Sequence, residues 1–207
     1  MSLRARRHDA YDDIEITDPR VMRVLAHPVR LAALSYLQGH GPATATQLAP
    51  IVGATPSVTS WHLRHLAQYG LITDWDGGSD ARQRWWQAAA RGIRVVHPGA
   101  SVGESAGTDA AYRALGSQLI AQAIDQVQGW QRETEPRLDA HWQAVAGVSN
   151  TTVLATAAEL EQILEVIEKL LAPHVRRRDE RAPNPDERYV RMVRLSLPGA
   201  AEDSAAR

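Results

Sequence analysis

The chain has 207 residues, 44% of them apolar and 23% charged, with a net charge of −1 and no cysteine. That length accommodates one domain of about 80 residues plus a second segment with its own core, and the composition excludes wholesale disorder. Disulfides, thiolate zinc sites and thiol catalysis fall away with the missing cysteine, and no apolar run approaches the roughly 20 residues of a helical membrane span.

Charge is unevenly distributed. Residues 18–98 hold eight arginines against four acids, a balance of +4, whereas 99–207 hold twelve Lys/Arg against sixteen Asp/Glu, a balance of −4. This split suits a basic part that meets an anionic partner and an acidic part that does not.

Residues 1–17 mix charges without apolar periodicity and read as a mobile arm, and the start MSLRARRHDAYDD has no apolar signal core, so a cytoplasmic location is expected. Asp18-Pro19 is a helix start, with a capping carboxylate followed by proline at the first helical position, leading into Val21, Met22 and Leu25. His27-Pro28 interrupts it and opens a second helix that buries Val29, Leu31, Leu34 and Leu37 before the break at 39–42. A short helix is expected from about 46 to 52, although Pro50 removes a backbone donor within it. A turn at Gly53-Ala54 leads to a longer helix from Thr55-Pro56 to about Tyr69. In that helix Thr59, Leu63 and Leu66 fall on one face, while Ser57, Ser60, Trp61 and Arg64 project elsewhere. Residues 71–75 and 82–87 alternate in strand fashion about a glycine-rich connection and form a hairpin, with Arg82 and Arg84 on one side of its return strand.

Beyond a small, polar linker over 99–109, residues 110–130 form a long helix. Its stripe of Leu115, Leu119, Ile120, Ile124 and Val127 suits packing against another helix, including a symmetry mate. A further helical stretch holds Leu138, Trp142 and Val145. Residues 151–154 read as a strand, Thr156 to Glu159 as a capping box launching an amphipathic helix, and 189–197 as a final strand. The fold class is therefore mainly α with small β, ending in a small α+β unit over 110–198 and a disordered tail over 199–207. Glu161, Glu165 and Glu168 are expected on the solvated face of their helix. No nucleophile elbow, phosphate loop or framed acid pair occurs, so no catalytic residue and no enzyme activity is expected.

The stretch Leu25-Ala26-His27-Pro28-Val29-Arg30-Leu31, then Thr59-Ser60-Trp61-His62-Leu63-Arg64-His65-Leu66 and Tyr69-Gly70-Leu71-Ile72, followed by a hairpin, resembles the ArsR-like winged helix-turn-helix regulators. The resemblance covers about residues 18–90 and makes 18–98 the DNA-binding domain. It implies a sequence-specific transcriptional regulator, a repressor, binding double-stranded DNA as a homodimer on a palindromic operator, because one recognition helix reads too few base pairs for useful specificity. The residues offered to DNA are Ser57, Ser60, Trp61, Arg64, His65, Arg82 and Arg84. Arg64 suits a guanine edge or a phosphate; Trp61 stacks on sugar or a thymine methyl, or packs within the protein; His62 matches the family histidine and reads as a packed side chain. No cofactor or metal is implied, since none of the eight histidines is spaced with acids as a sensor site would be. A small-molecule effector would bind the C-terminal domain, and no membrane is involved. The alternative is a winged helix used for protein interaction without DNA.

Overall fold

The computed structural model describes residues 6–8, 13–78, 83–97, 106–175 and 184–199. Strands β1 (Arg6–His8) and β2 (Asp13–Ile16) pair antiparallel. Helix α1 (Pro19–Leu25) starts where Asp18 accepts the backbone N–H of Arg20 at 2.8 Å, and α2 (Pro28–His40) starts at the second proline. Strand β3 (Ala43–Thr44) leads into α3 (Ala45–Leu48), whose capping box has Thr44 accepting from Gln47 N–H and Gln47 accepting from Thr44 N–H. The expected continuation to residue 52 is a series of turns, because Pro50 has no N–H to donate to the carbonyl one turn back. Gly53, at φ +65°, makes the turn that redirects the chain. Helix α4 (Pro56–Gln68) follows, capped by Thr55, which accepts from Val58 N–H at 3.4 Å.

The hairpin strands are β4 (Ile72–Asp74) and β5 (Trp85–Ala88), antiparallel with Ile72 opposite Ala88. Strand β3 adds to the other edge of β5, giving a three-stranded sheet in the order β3-β5-β4. Four helices, α1 to α4, with this sheet bury Leu25, Leu31, Leu34, Leu48, Leu63 and Leu66 around Trp86, and the result is a winged helix-turn-helix. At about 25 cal/mol per Å² of apolar surface, each such leucine contributes on the order of 1.5–3 kcal/mol.

Residues 6–8 and 13–16 depart from the mobile arm expected over 1–17, of which 1–5 and 9–12 lie outside the described residues. Strand β2 lies parallel to β6 (Ile93–Val95), with Ile14 opposite Ile93 and Ile16 opposite Val95, and Ile14 and Ile16 join the core. The alternation Ile14-Glu15-Ile16 is too short to stand out without its partner strand, which lies some 80 residues on.

Helix α5 (Ala106–Glu133) begins inside the expected linker; residues 98–105 lie outside the described residues. Its first turns pack on α1, burying Ala111 and Leu115, so this helix extends the winged-helix core; Ile120, Ile124 and Val127 further along remain exposed. Helix α6 (Ala140–Val145) and helix α7 (Ala157–Leu171) follow, the latter with the expected capping box of Thr156 and Glu159. The strands expected at 151–154 and 189–197 are not formed: both segments lack regular secondary structure and have no ladder partner among the described residues, and Leu154, Val190, Leu195 and Leu197 stay exposed. Alternation supplies a face, and a strand also needs a neighbour. Glu168, expected in solvent, is instead buried, bridged to Arg94 of β6 at 2.9 Å, while Arg91 donates to the Val175 carbonyl at 2.5 Å; these contacts seat α7 on the winged helix.

Candidate nucleic-acid interface

Helix α4 divides by burial as its sequence dictates. Thr59, His62, Leu63 and Leu66 face the core, while Ser57, Trp61 and Arg64 are exposed and Ser60 and His65 are half-buried beside them. The outward set follows i, i+3, i+4, i+7 spacing from Ser57, which keeps it on one side of the helix. Two small hydroxyl side chains stand toward its amino-terminal end, where the helix is slimmest. Arg64 has no acidic partner among the described residues, so its charge is uncompensated.

Both readings of Trp61 contain part of the answer. Its indole meets His62 edge-on at 4.9 Å and His65 at 5.4 Å, yet 54% of the residue is exposed, so it is propped from behind and open in front. His65 leans in turn on Tyr69 at 5.5 Å. His62 is 5% exposed and lies 4.6 Å from the His27 ring, as a packed side chain. Burial pushes His27, His62 and His65 below the ordinary histidine range; the charge of Arg30 adds to this for all three, and for His62 the neighbouring histidines do so as well. All three are therefore neutral near pH 7, and Arg64 is the cation of this face. Arg30 does not join it: it is buried and its Nε donates to the Val24 carbonyl at 2.5 Å, tying α2 to the end of α1.

The wing is braced by residues whose roles the sequence did not disclose. Arg84 makes a two-pronged pair with Asp74, Nε to Oδ1 at 2.5 Å and Nη2 to Oδ2 at 2.9 Å, and its guanidinium lies 4.1 Å from the centre of the Trp86 ring. Contact with a phosphate therefore requires exchange of the Asp74 carboxylate. Arg82 lies outside the described residues. Trp75 and Trp85 face each other across the hairpin at 5.5 Å, and a β-carbon on Gly77 would stand 2.4 Å from the Trp75 ring, one on Gly78 2.3 Å from Trp85. The glycines thus admit two indoles where the hairpin strands give way to their connecting loop. The Asp74–Arg84 pairing was hidden because a six-residue connection leaves strand register open. Among the described residues, no three His, Asp or Glu side chains gather in a way that could hold a metal ion, and no helix is long and apolar enough to cross a membrane.

A helix-turn-helix with an attached hairpin defines a winged-helix domain, and comparison with known families agrees: a helix-turn-helix domain model matches residues 25–74. Comparison with curated proteins returns no match. Solved structures similar to this chain include the YusO protein from Bacillus subtilis (15% identity, 72% of this chain and 77% of that one, TM-score 0.32). Others are a transcriptional regulator homologue from Pyrococcus horikoshii OT3 (23%, 53% and 92%, 0.31) and a MarR family regulator from Neisseria meningitidis (18%, 70% and 79%, 0.28). These likenesses are weak over the whole chain, and the helix-turn-helix assignment rests on the domain match and the geometry.

Proposed function

We propose that this protein is a transcriptional regulator that binds double-stranded DNA through α4, in the ArsR-like manner suggested by Leu25 to Leu31 and Thr59 to Ile72, and acts as a repressor. The observation that carries the reading is the outward face of α4: Ser57, Ser60, Trp61 and an Arg64 with no acidic partner among the described residues, beside a braced wing. A helix of that girth enters a major groove about 12 Å wide. Short hydroxyls allow close approach, Arg64 reaches a guanine edge or a phosphate, and the open edge of Trp61 meets sugar or a thymine methyl. His65 supports Trp61 from behind. Arg84, and Arg82 by its sequence position, serve phosphate contact at the wing.

The reading includes a homodimer on a palindromic operator, supported by the exposed Ile120, Ile124 and Val127 on α5 and by the apolar residues left uncovered at 189–197. It also includes a small-molecule effector held by the C-terminal part. A second reading, a winged helix that binds protein without DNA, draws on the exposure of Ile51, Val58 and Trp61 in the same region. Selection of bound fragments from a random duplex pool separates the two. Enrichment of an inverted repeat with half-site centres about one helical turn apart supports regulation; retention of no duplex at physiological salt supports the protein-binding alternative.

A further inference from the structure

A cleft of about 1140 Å³ lies between the winged helix and the C-terminal part. The end of α2 (Ser35, Gln38, Gly39) forms one wall, α5 (Tyr112, Gly116, Leu119) the other, and α7 with residues 188–197 the roof. Its volume slightly exceeds the usual range for small-ligand pockets. A β-carbon on Gly116 would find nothing within 4 Å, so α5 presents open space in its middle, where glycine weakens a helix.

The charges around this cleft do not balance. Five arginines, at 91, 94, 188, 191 and 194, line it against the acids Asp13 and Glu168. Arg91 donates to the Val175 carbonyl, Arg94 pairs with Glu168, and Arg188 pairs with Asp139 at 3.4 Å. Arg191 and Arg194 have no acidic partner among the described residues. Arg191 is the more constrained of the two. Its Nη2 lies 3.2 Å from the place a β-carbon on Gly39 would occupy, so the guanidinium is tucked against the end of α2, and burial lowers its pKa. A guanidinium stays protonated regardless, so with no acidic partner among the described residues its charge is left for an anion to meet. The carboxy-terminal dipole of α2 offers it about half a charge and no more. The residue as a whole remains exposed, so a solute can reach it. Around it Leu119, Leu164, Leu171, Val190 and Met192 supply apolar lining.

We propose that this cleft binds a small amphipathic carboxylate, its head group on Arg191 and its apolar body along α5. This deepens the effector reading given above and depends on it for the consequence at DNA. An occupant holds residues 188–197 against α2, and α2 packs on α4 through the shared core, so occupancy biases the pose of the DNA-reading helix.

The test is calorimetric titration of the full chain with octanoate, 4-phenylbutyrate and octylammonium. Expected is binding of at least one carboxylate tighter than about 1 mM, with octylammonium at least about tenfold weaker, as an arginine-anchored site requires. Arg191→Gln lowers carboxylate affinity about tenfold or more, Arg191→Lys recovers part of it, and Gly116→Leu, which fills the open space while favouring the helix, removes it. Circular dichroism and melting of each variant confirm folding. Absence of binding by both carboxylates, equal binding of octylammonium, or unchanged affinity in Arg191→Gln would overturn the proposal. Duplex affinity is measured separately: a chain that binds octanoate and no DNA refutes the regulator reading while the cleft assignment stands.

Discussion

Replacing Asp74 by asparagine tests how the wing meets a duplex. In the free protein Arg84 is held by the Asp74 carboxylate at 2.5 and 2.9 Å, and the hydrogen bonds from Arg84 keep that carboxyl below its usual range, so the pair is ionic at neutral pH and contributes no net charge. Both side chains are 56% exposed, so the pair itself is worth about 0–1 kcal/mol and its loss leaves folding intact. Asp74→Asn keeps the shape and releases a full positive charge. Each phosphate neutralised adds about 0.9 to the slope of log K against log salt, which at 0.15 M relative to 1 M amounts to about 0.7 decade, or roughly fivefold in affinity. Fluorescence anisotropy on a labelled duplex across a salt series should therefore show Asp74→Asn binding about fivefold tighter with a slope steeper by about 0.9, and Arg84→Ala in that background should reverse both. Arg84→Ala in the natural chain changes the slope by less than one ion, because phosphate must first displace Asp74. An Asp74→Asn protein with unchanged slope and affinity would refute wing contact.

Acidity should loosen the winged helix through its histidines. His27, His62 and His65 have depressed values in the folded state, so the unfolded chain takes up protons first as pH falls below the ordinary 6.5; the stability they confer is complete above that value and drains away beneath it. Urea midpoints measured from pH 7.5 to 5.5, above the titration range of the carboxylates, should hold at the upper end and fall as pH drops through about 6.5, and a profile flat throughout would contradict the burial assigned to these rings. Removing residues 1–17 takes Ile14 and Ile16 from the core and should cost about 3 kcal/mol or more; an unchanged melting curve would mean β2 is not part of the folded unit. Gly77→Ala places a methyl against the Trp75 ring and should abolish the near-ultraviolet dichroism of the Trp75–Trp85 pair, whereas a retained signal would show the turn has room to spare.

The parts legible in the sequence are those governed by local chemistry. Asp18-Pro19, Thr55-Pro56 and the Thr156/Glu159 box each set a helix start through neighbours within three residues, and each forms where expected. What escaped depends on distant partners. Strand β2 needs β6, Glu168 needs Arg94, and Arg84 needs the register that brings Asp74 alongside. The unformed strands at 151–154 and 189–197 have the same origin, since an alternating pattern makes a strand only where a partner lies alongside. Of the candidate face, the α4 residues could be listed from helical spacing, but the propping of Trp61 by His62 and His65 required the packed rings.

If the outward face of α4 reads a base sequence, Arg64→Ala shows it most plainly, measured by anisotropy on the duplex recovered by selection and on a scrambled duplex of equal length. Affinity for the selected duplex should fall by about 1–3 kcal/mol and preference over the scrambled one should narrow, as loss of a base contact requires. An equal, small loss on both duplexes would reduce Arg64 to a phosphate contact, and no loss on either would remove α4 from the interface.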